Sequence, residues 1–271
     1  MSDIVYQPLV SLVTVCFNAQ NEIENTIKSV IEQSYGHIEY IIIDGKSTDS
    51  TLDIVERYKN KIDVLISEKD QGIYDAMNKA LDHVSGEWII FMNAGDIFVH
   101  ANVLKDIFSA KSIDEYDVVY GDTLVVDLDG NSKFLPAKPL DGFWKYTPFS
   151  HQSLLMKKKC FEKDKFNTVY RVMADNELHA RKHKDGFKFF YYNQPIAKYL
   201  SGGFSEQNRI YNVIERWHIA YHLKMVDKNE IDEYFIRAMA NAIKHDYPEN
   251  LPKRNLIKDI AKKLKHKWTR R

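Results

Sequence analysis

The residues of this chain best suited to chemistry lie in four short polar clusters, each closing an apolar run. Val10 to Cys16 stops at Phe17-Asn18, and Ile38 to Ile43 stops at Asp44-Gly45-Lys46. Asp63 to Ser67 stops at Glu68-Lys69-Asp70, and Trp88 to Met92 stops at Asn93-Ala94-Gly95-Asp96. A strand-end carboxylate such as Asp44 can accept a hydrogen bond from a nucleobase N–H or a ribose hydroxyl, as acids do in nucleotide-binding sheets, or it can simply close a turn. Asp49, five residues on, reads as the N-cap of a helix starting near Ser50. Asp96 has only small neighbours, which let a bulky anion and a hard cation approach the backbone. Magnesium or manganese is commonly bound in this way, through one or two carboxylates plus substrate phosphates. The alternative is that Asp96 caps the helix after it.

The elements that must position these clusters follow from periodicity. Ile23, Ile27, Val30 and Ile31 recur at the spacing of one buried helix face. Leu52, Ile54 and Val55 fill the next gap, and Ile73, Met77, Ala80, Leu81 and Val84 the third. Strands joined by helical crossovers of this length run parallel, because the unit packs in its right-handed form. All four clusters then share the carboxyl edge of one sheet, where ligands of open α/β sheets bind.

With 271 residues and 44% apolar content the chain can bury a full core. It holds no apolar run near the ~20 residues that span a bilayer and no charged-then-apolar leader, which predicts a soluble, cytoplasmic enzyme. Cys16 and Cys160 lie far apart without metal-ligand spacing, and Cys16 reads as a small buried hydrophobe.

Val13-Thr14-Val15-Cys16-Phe17-Asn18, Ile43-Asp44-Gly45-Lys46-Ser47-Thr48-Asp49 and Asn93-Ala94-Gly95-Asp96 together resemble the opening strand, the base-reading acidic turn and the metal-binding Asp-x-Asp of the family 2 glycosyltransferases. The most specific match is Glu68 to Lys79 (EKDQGIYDAMNK), which looks like the bacterial subgroup that builds surface polysaccharides. The resemblance covers about Pro8 to Ser205. It implies an α/β GT-A (Rossmann-like) fold, a mostly parallel central sheet flanked by helices, and an inverting hexosyltransferase-type activity. The implied donor is a nucleotide sugar, UDP-linked as the family-level expectation, and the implied acceptor is a saccharide or a lipid-linked sugar.

Carried over position by position, the resemblance implies nucleotide-sugar contacts from Phe17, Asn18, Asp44, Lys46, Asp70, Tyr74, Asn78, Lys79, Asn93, Ala94 and Gly95, and a Mn2+ or Mg2+ ligand in Asp96. The first acid of the metal motif is replaced here by Asn93 or Ala94, and the paired acids after the second strand are reduced to Asp44 with Gly45. An inverting transfer needs a carboxylate that takes the proton of the attacking hydroxyl. Asp175 matches that position, with Glu177 as the fallback and a helix N-cap as the structural alternative. His151-Gln152 resembles a motif near the acceptor pocket, and Gly202-Gly203 a late loop over the diphosphate.

After residue 205, Ile210, Val213, Ile214, Trp217 and Tyr221 predict one amphipathic helix and Ile231 to Ile243 another, before Pro248 and Pro252 break the pattern. Residues 253–271 hold nine Lys or Arg and one Asp, leaving 29 basic and 37 acidic residues before them. Leu256, Ile257, Ile260, Ala261, Leu264 and Trp268 share a face of this tail. Such a helix reads either as an anchor on an anionic membrane face or as a helix packed on the protein. The expected organisation is therefore a GT-A domain over 1–205, a helical extension over 206–252 and a basic tail over 253–271. The acidic body and the lack of a recognisable module argue against nucleic acid. The missing first acid keeps open a catalytically silent protein that binds a nucleotide sugar or scaffolds a partner. A dehydrogenase or nucleotidyltransferase is disfavoured, because Cys16-Phe17-Asn18-Ala19 lacks the expected glycines.

Overall fold

In the computed structural model, residues 6–110, 112–127 and 129–246 are described. The expected break at Pro248 and Pro252 and the basic tail lie outside them. The chain divides into two compact units. The first comprises residues 1–140, 148–169 and 174–201, and the second 141–147, 170–173 and the chain from Gly202 onward.

The first unit is built on a nine-stranded sheet. Strands β1 (Val10–Cys16), β2 (Ile38–Asp44), β3 (Val64–Ser67) and β4 (Trp88–Phe91) stand in the order β3-β2-β1-β4, all parallel. Helices α1 (Ile23–Ile31), α2 (Thr51–Glu56) and α3 (Ile73–Ala80) connect them. Every residue of β1 is buried, as a central parallel strand with both faces covered must be. Ile23, Ile27 and Val30 of α1 pack into the same core as Leu12, Ile42 and Ile90.

Beyond β4 the pairing changes direction. The remaining strands are β5 (Ile97–Phe98), β6 (Val118–Val126), β7 (Ser132–Leu135), β8 (Leu154–Lys157) and β9 (Phe189–Leu200). β8 pairs antiparallel with β4 and with β6, β9 lies parallel to β6, and β5 pairs antiparallel with β9. The sheet is therefore mixed, with an all-parallel half carrying the four strands that periodicity identified. The turn Asn93–Asp96 takes the chain from β4, in the parallel half, to β5 at the opposite end of the strand order. Helices α4 (Val103–Phe108) and α5 (Ala174–Lys184) complete this unit.

The second unit contains α6 (Phe204–Gln207), α7 (Arg209–His222) and α8 (Lys228–Asp246). Trp217 of α7 and Ile231, Phe235 and Met239 of α8 form its apolar centre with Trp144. Trp217 donates its indole N–H to Asp232 (3.0 Å), so the largest buried ring is satisfied at its polar edge. Glu215, also on α7, accepts the backbone N–H groups of Arg171, Val172 and Met173 at 2.8–2.9 Å. Among the described residues, no helix is long and apolar enough to cross a membrane.

Candidate active site

At the ends of β1 and β2, Asn18 ties two loops together. Its backbone N–H donates to Ser47 Oγ (2.8 Å), and its Oδ1 accepts from Thr48 N (2.9 Å). Asn18 takes a positive φ of 47°, tolerated best by Asn among ordinary residues, and exposed Lys46 does the same at 66°. Asp44, read from the sequence either as a base contact or as a turn residue, is completely buried. Its carboxylate accepts from Ser47 N (3.0 Å), Ser47 Oγ and Ser67 Oγ (2.6 Å), so both oxygens are spent building the turn. The carboxylate beside this turn is Asp70. A Cβ on Gly45 would lie 2.4 Å from Asp70 Oδ2 and 3.3 Å from the Phe17 ring. Phe17 is 60% exposed, an apolar face beside an acid.

The segment from Glu68 to Lys79 divides its labour in a way its motif does not announce. Asp70 Oδ1 caps Gly72 N (2.9 Å), where a φ of +123° requires glycine, and Asp75 caps Gln71 N (3.0 Å). Lys79 binds Glu68 (2.8 Å), Asp75 (3.6 Å) and the Lys69 carbonyl (2.8 Å). Asn78 holds both backbone groups of Phe166, donating to its carbonyl (2.8 Å) and accepting its N–H (2.9 Å). Asn78 and Lys79, read from the resemblance as nucleotide contacts, make these bonds to the protein itself. Tyr74, also read as a nucleotide contact, donates its hydroxyl to Asp175 Oδ1 (2.8 Å) and stacks on Phe166 with centroids 5.8 Å apart.

After β4, Met92 N and Ala94 N extend the ladder to Val13 and Val15, and Thr26 of α1 pins the turn. Its hydroxyl accepts Gly95 N–H (3.0 Å) and donates to the Asp96 carbonyl (2.9 Å). Sequence reasoning missed Thr26, although its spacing, three residues after Ile23 and four before Val30, puts a hydroxyl on the apolar face of α1. Gln152 donates to Asp96 Oδ1 (3.1 Å), and burial pushes the Asp96 carboxyl up to about 7. Asn93 Oδ1 is buried with no hydrogen-bond partner. The described residues contain no group of three or more His, Cys, Asp or Glu able to hold a metal. A hard cation would find two protein oxygens on this turn, from Asp96 and Asn93, a set that fits Mg2+ or Mn2+ if phosphates and water supply the rest.

Asp175 occupies the first turn of α5 and is half-buried. Glu177, the fallback base, is buried and held by Arg181 through Nε (2.9 Å) and Nη2 (3.1 Å), which leaves it poorly placed to take a proton. The His151 ring stacks against His179 (5.8 Å, 15°) and packs beside Phe91 (5.5 Å). Burial holds His151 below the usual histidine range, and the nearby Asp175 charge opposes that shift. Within the His151-Gln152 dipeptide, Gln152 bonds to Asp96, and His151 packs among Phe91, Phe166 and His179. Sequence gave no hint of His179, Asn176 or Phe166. Gly202 and Gly203 belong to the second unit, where Gly202 accepts from the Gln207 side chain (2.7 Å) and Gly203 precedes α6.

Several known proteins are similar to this chain. The "PGL/p-HBAD biosynthesis glycosyltransferase" of Mycobacterium bovis is 30% identical over 181 residues, 64% of this chain and 69% of that protein. Among solved structures, residues 1–349 of S. aureus TarS bound to UDP superpose with a TM-score of 0.62 at 17% identity, covering 87% of this chain and 72% of that one. The mannosyltransferase PcManGT from Pyrobaculum calidifontis, bound to GDP-Man and Mn2+, reaches 0.66 at 16% identity over 96% and 81%. These likenesses show a GT-A fold. The family model for Glycosyl transferase family 2 matches residues 11–179, and the chain belongs to that family of glycosyltransferases.

Proposed function

We propose that this glycosyltransferase moves a hexose, with inversion, from a nucleoside diphosphate donor to a saccharide or lipid-linked acceptor in cell-surface polysaccharide or glycolipid synthesis. The observation that carries the reading is the turn after β4, where Gln152 holds Asp96 and the buried Asn93 Oδ1 has no hydrogen-bond partner, a donor pair suited to a cation on a diphosphate. UDP is the preferred carrier: the TarS structures hold UDP and UDP-GlcNAc, and Phe17 with Asp70 offers a stacking face beside an acceptor for a base N–H.

In the transfer, Asp175 takes the acceptor hydroxyl proton as that oxygen attacks the anomeric carbon opposite the diphosphate. The bond to the diphosphate breaks, and its electron pair leaves with the nucleotide. Asp96 and Asn93 would hold Mn2+ or Mg2+, whose charge offsets that growing on the departing diphosphate. Gln152 fixes one Asp96 oxygen in place. Residues 253–271 attach the enzyme to the anionic cytoplasmic face of the membrane.

The test compares the native protein with Asp96→Ala and Asp175→Ala across UDP-, GDP- and dTDP-hexoses, with and without Mn2+. One donor is expected to bind in a Mn2+-dependent manner to the native protein and to Asp175→Ala, but weakly to Asp96→Ala, with turnover lost in both variants. Absence of binding to every donor defeats the proposal, and binding without turnover supports the silent alternative. For the tail, an unchanged membrane fraction after deletion of residues 253–271 removes the membrane assignment.

A further inference from the structure

We propose that Tyr74 is a positioning residue for Asp175, so that the segment Ile73–Asn78 serves the proton-accepting side of the reaction rather than the nucleotide. The inference rests on Asp175 being the base, and it adds what holds that base in place. The Tyr74 hydroxyl donates to Asp175 Oδ1 at 2.8 Å across 101 residues of sequence. This leaves Oδ2 as the oxygen presented to an incoming hydroxyl. A carboxylate near a helix N-terminus can rotate about its χ angles, and a fixed donor on one oxygen restricts it to a single presentation.

The donor is itself held. Tyr74 is 9% exposed and lies on the buried face of α3, with Met77 and Ala80. Its ring stacks on Phe166 at 5.8 Å and 29°. Phe166 cannot drift away, because Asn78, one turn further along α3, holds both its N–H and its carbonyl. Helix, stacking partner and hydroxyl therefore form one support that delivers a hydrogen bond to the Asp175 carboxylate. The Tyr74 ring is thus buried against the protein, whereas the Phe17 ring is 60% exposed.

Tyr74→Phe tests this, because it keeps the ring and the stack and removes one oxygen. The readouts are kcat and KM for hydrolysis of the UDP-hexose turned over fastest, and the Kd for UDP with Mn2+ by calorimetry. The expected result is a roughly 10- to 100-fold fall in kcat with KM and UDP affinity within about twofold of native. In an Asp175→Asn background the same change should leave the residual rate where it was, because there is no longer a base to orient. Unchanged kcat in Tyr74→Phe, or weakened UDP binding, overturns the positioning role while leaving Asp175 as base. Retained turnover in Asp175→Asn, or no turnover of any donor by the native protein, overturns the underlying reading and this inference with it.

Discussion

Gly45 is separated from the Asp70 carboxylate by less than the thickness of a methyl group. A Cβ there would stand 2.4 Å from Asp70 Oδ2, closer than non-bonded atoms approach, so Gly45→Ala must displace the carboxylate. The backbone at Gly45 is held by its N–H to Cys16 O (2.8 Å), and Asp70 is the end of a side chain, so the acid is the part that yields. If Asp70 and Phe17 receive the base as proposed, Gly45→Ala is expected to weaken UDP binding about tenfold, or ~1.4 kcal/mol, with little change in unfolding temperature. Gly36→Ala is the matched control, since nothing lies within 4 Å of its added methyl. Equal UDP affinity in both variants would remove Asp70 from the binding site. Asp44, by contrast, shows what a residue type leaves open: a strand-end acid looks the same in sequence whether its oxygens face a ligand or, as here, accept from Ser47 and Ser67.

At the scale of elements, magnitudes separate the two neighbours at the end of the α3 motif. Asn78 makes two hydrogen bonds to the Phe166 backbone from a partly buried position, and losing them leaves Phe166 N–H and carbonyl to find new partners. Asn78→Ala is expected to cost about 1–3 kcal/mol in urea unfolding. Lys79 makes exposed or half-exposed ion pairs with Glu68 and Asp75, and Lys79→Ala should cost roughly 0–1 kcal/mol. A larger loss at Lys79 than at Asn78 would show that the segment is held by charge rather than by the Phe166 clamp. The parallel strands were readable to within a residue or two because a strand buried on both faces is a continuous apolar run. The mixed half was not readable: β7 is mostly exposed, β9 alternates irregularly, and their pairing is set by partners far away in sequence. The same reason hid Tyr74's partner, which lies 101 residues on.

At the scale of the whole molecule, the buried polar layer beneath the site makes stability depend on pH. His179 is 1% exposed, its Nε2 lacks a hydrogen-bond partner, and burial holds it well below the usual histidine range. An unfolded histidine titrates near ~6.5. Below that pH the unfolded chain binds a proton at residue 179 that the folded chain does not, so the free energy of unfolding falls as pH falls. His151 acts in the same direction, its shift opposed by Asp175. Asp96 acts in the opposite direction, because its carboxyl, pushed up to about 7, takes up a proton in the folded state before the unfolded chain does. The net slope is therefore a difference, and the contribution of His179 is isolated by comparing slopes rather than stabilities. Between pH 7.5 and 5.5, His179→Asn is expected to lose about 1.4 kcal/mol less than the native protein in urea unfolding, the effect of one proton over the unit below ~6.5. Parallel slopes would mean that His179 is protonated equally in both states, and that the buried layer admits charge. His179 stacks on His151 (5.8 Å, 15°), so a proton admitted at residue 179 would sit against a second buried imidazole, and the slope comparison reads whether the packed pair stays neutral.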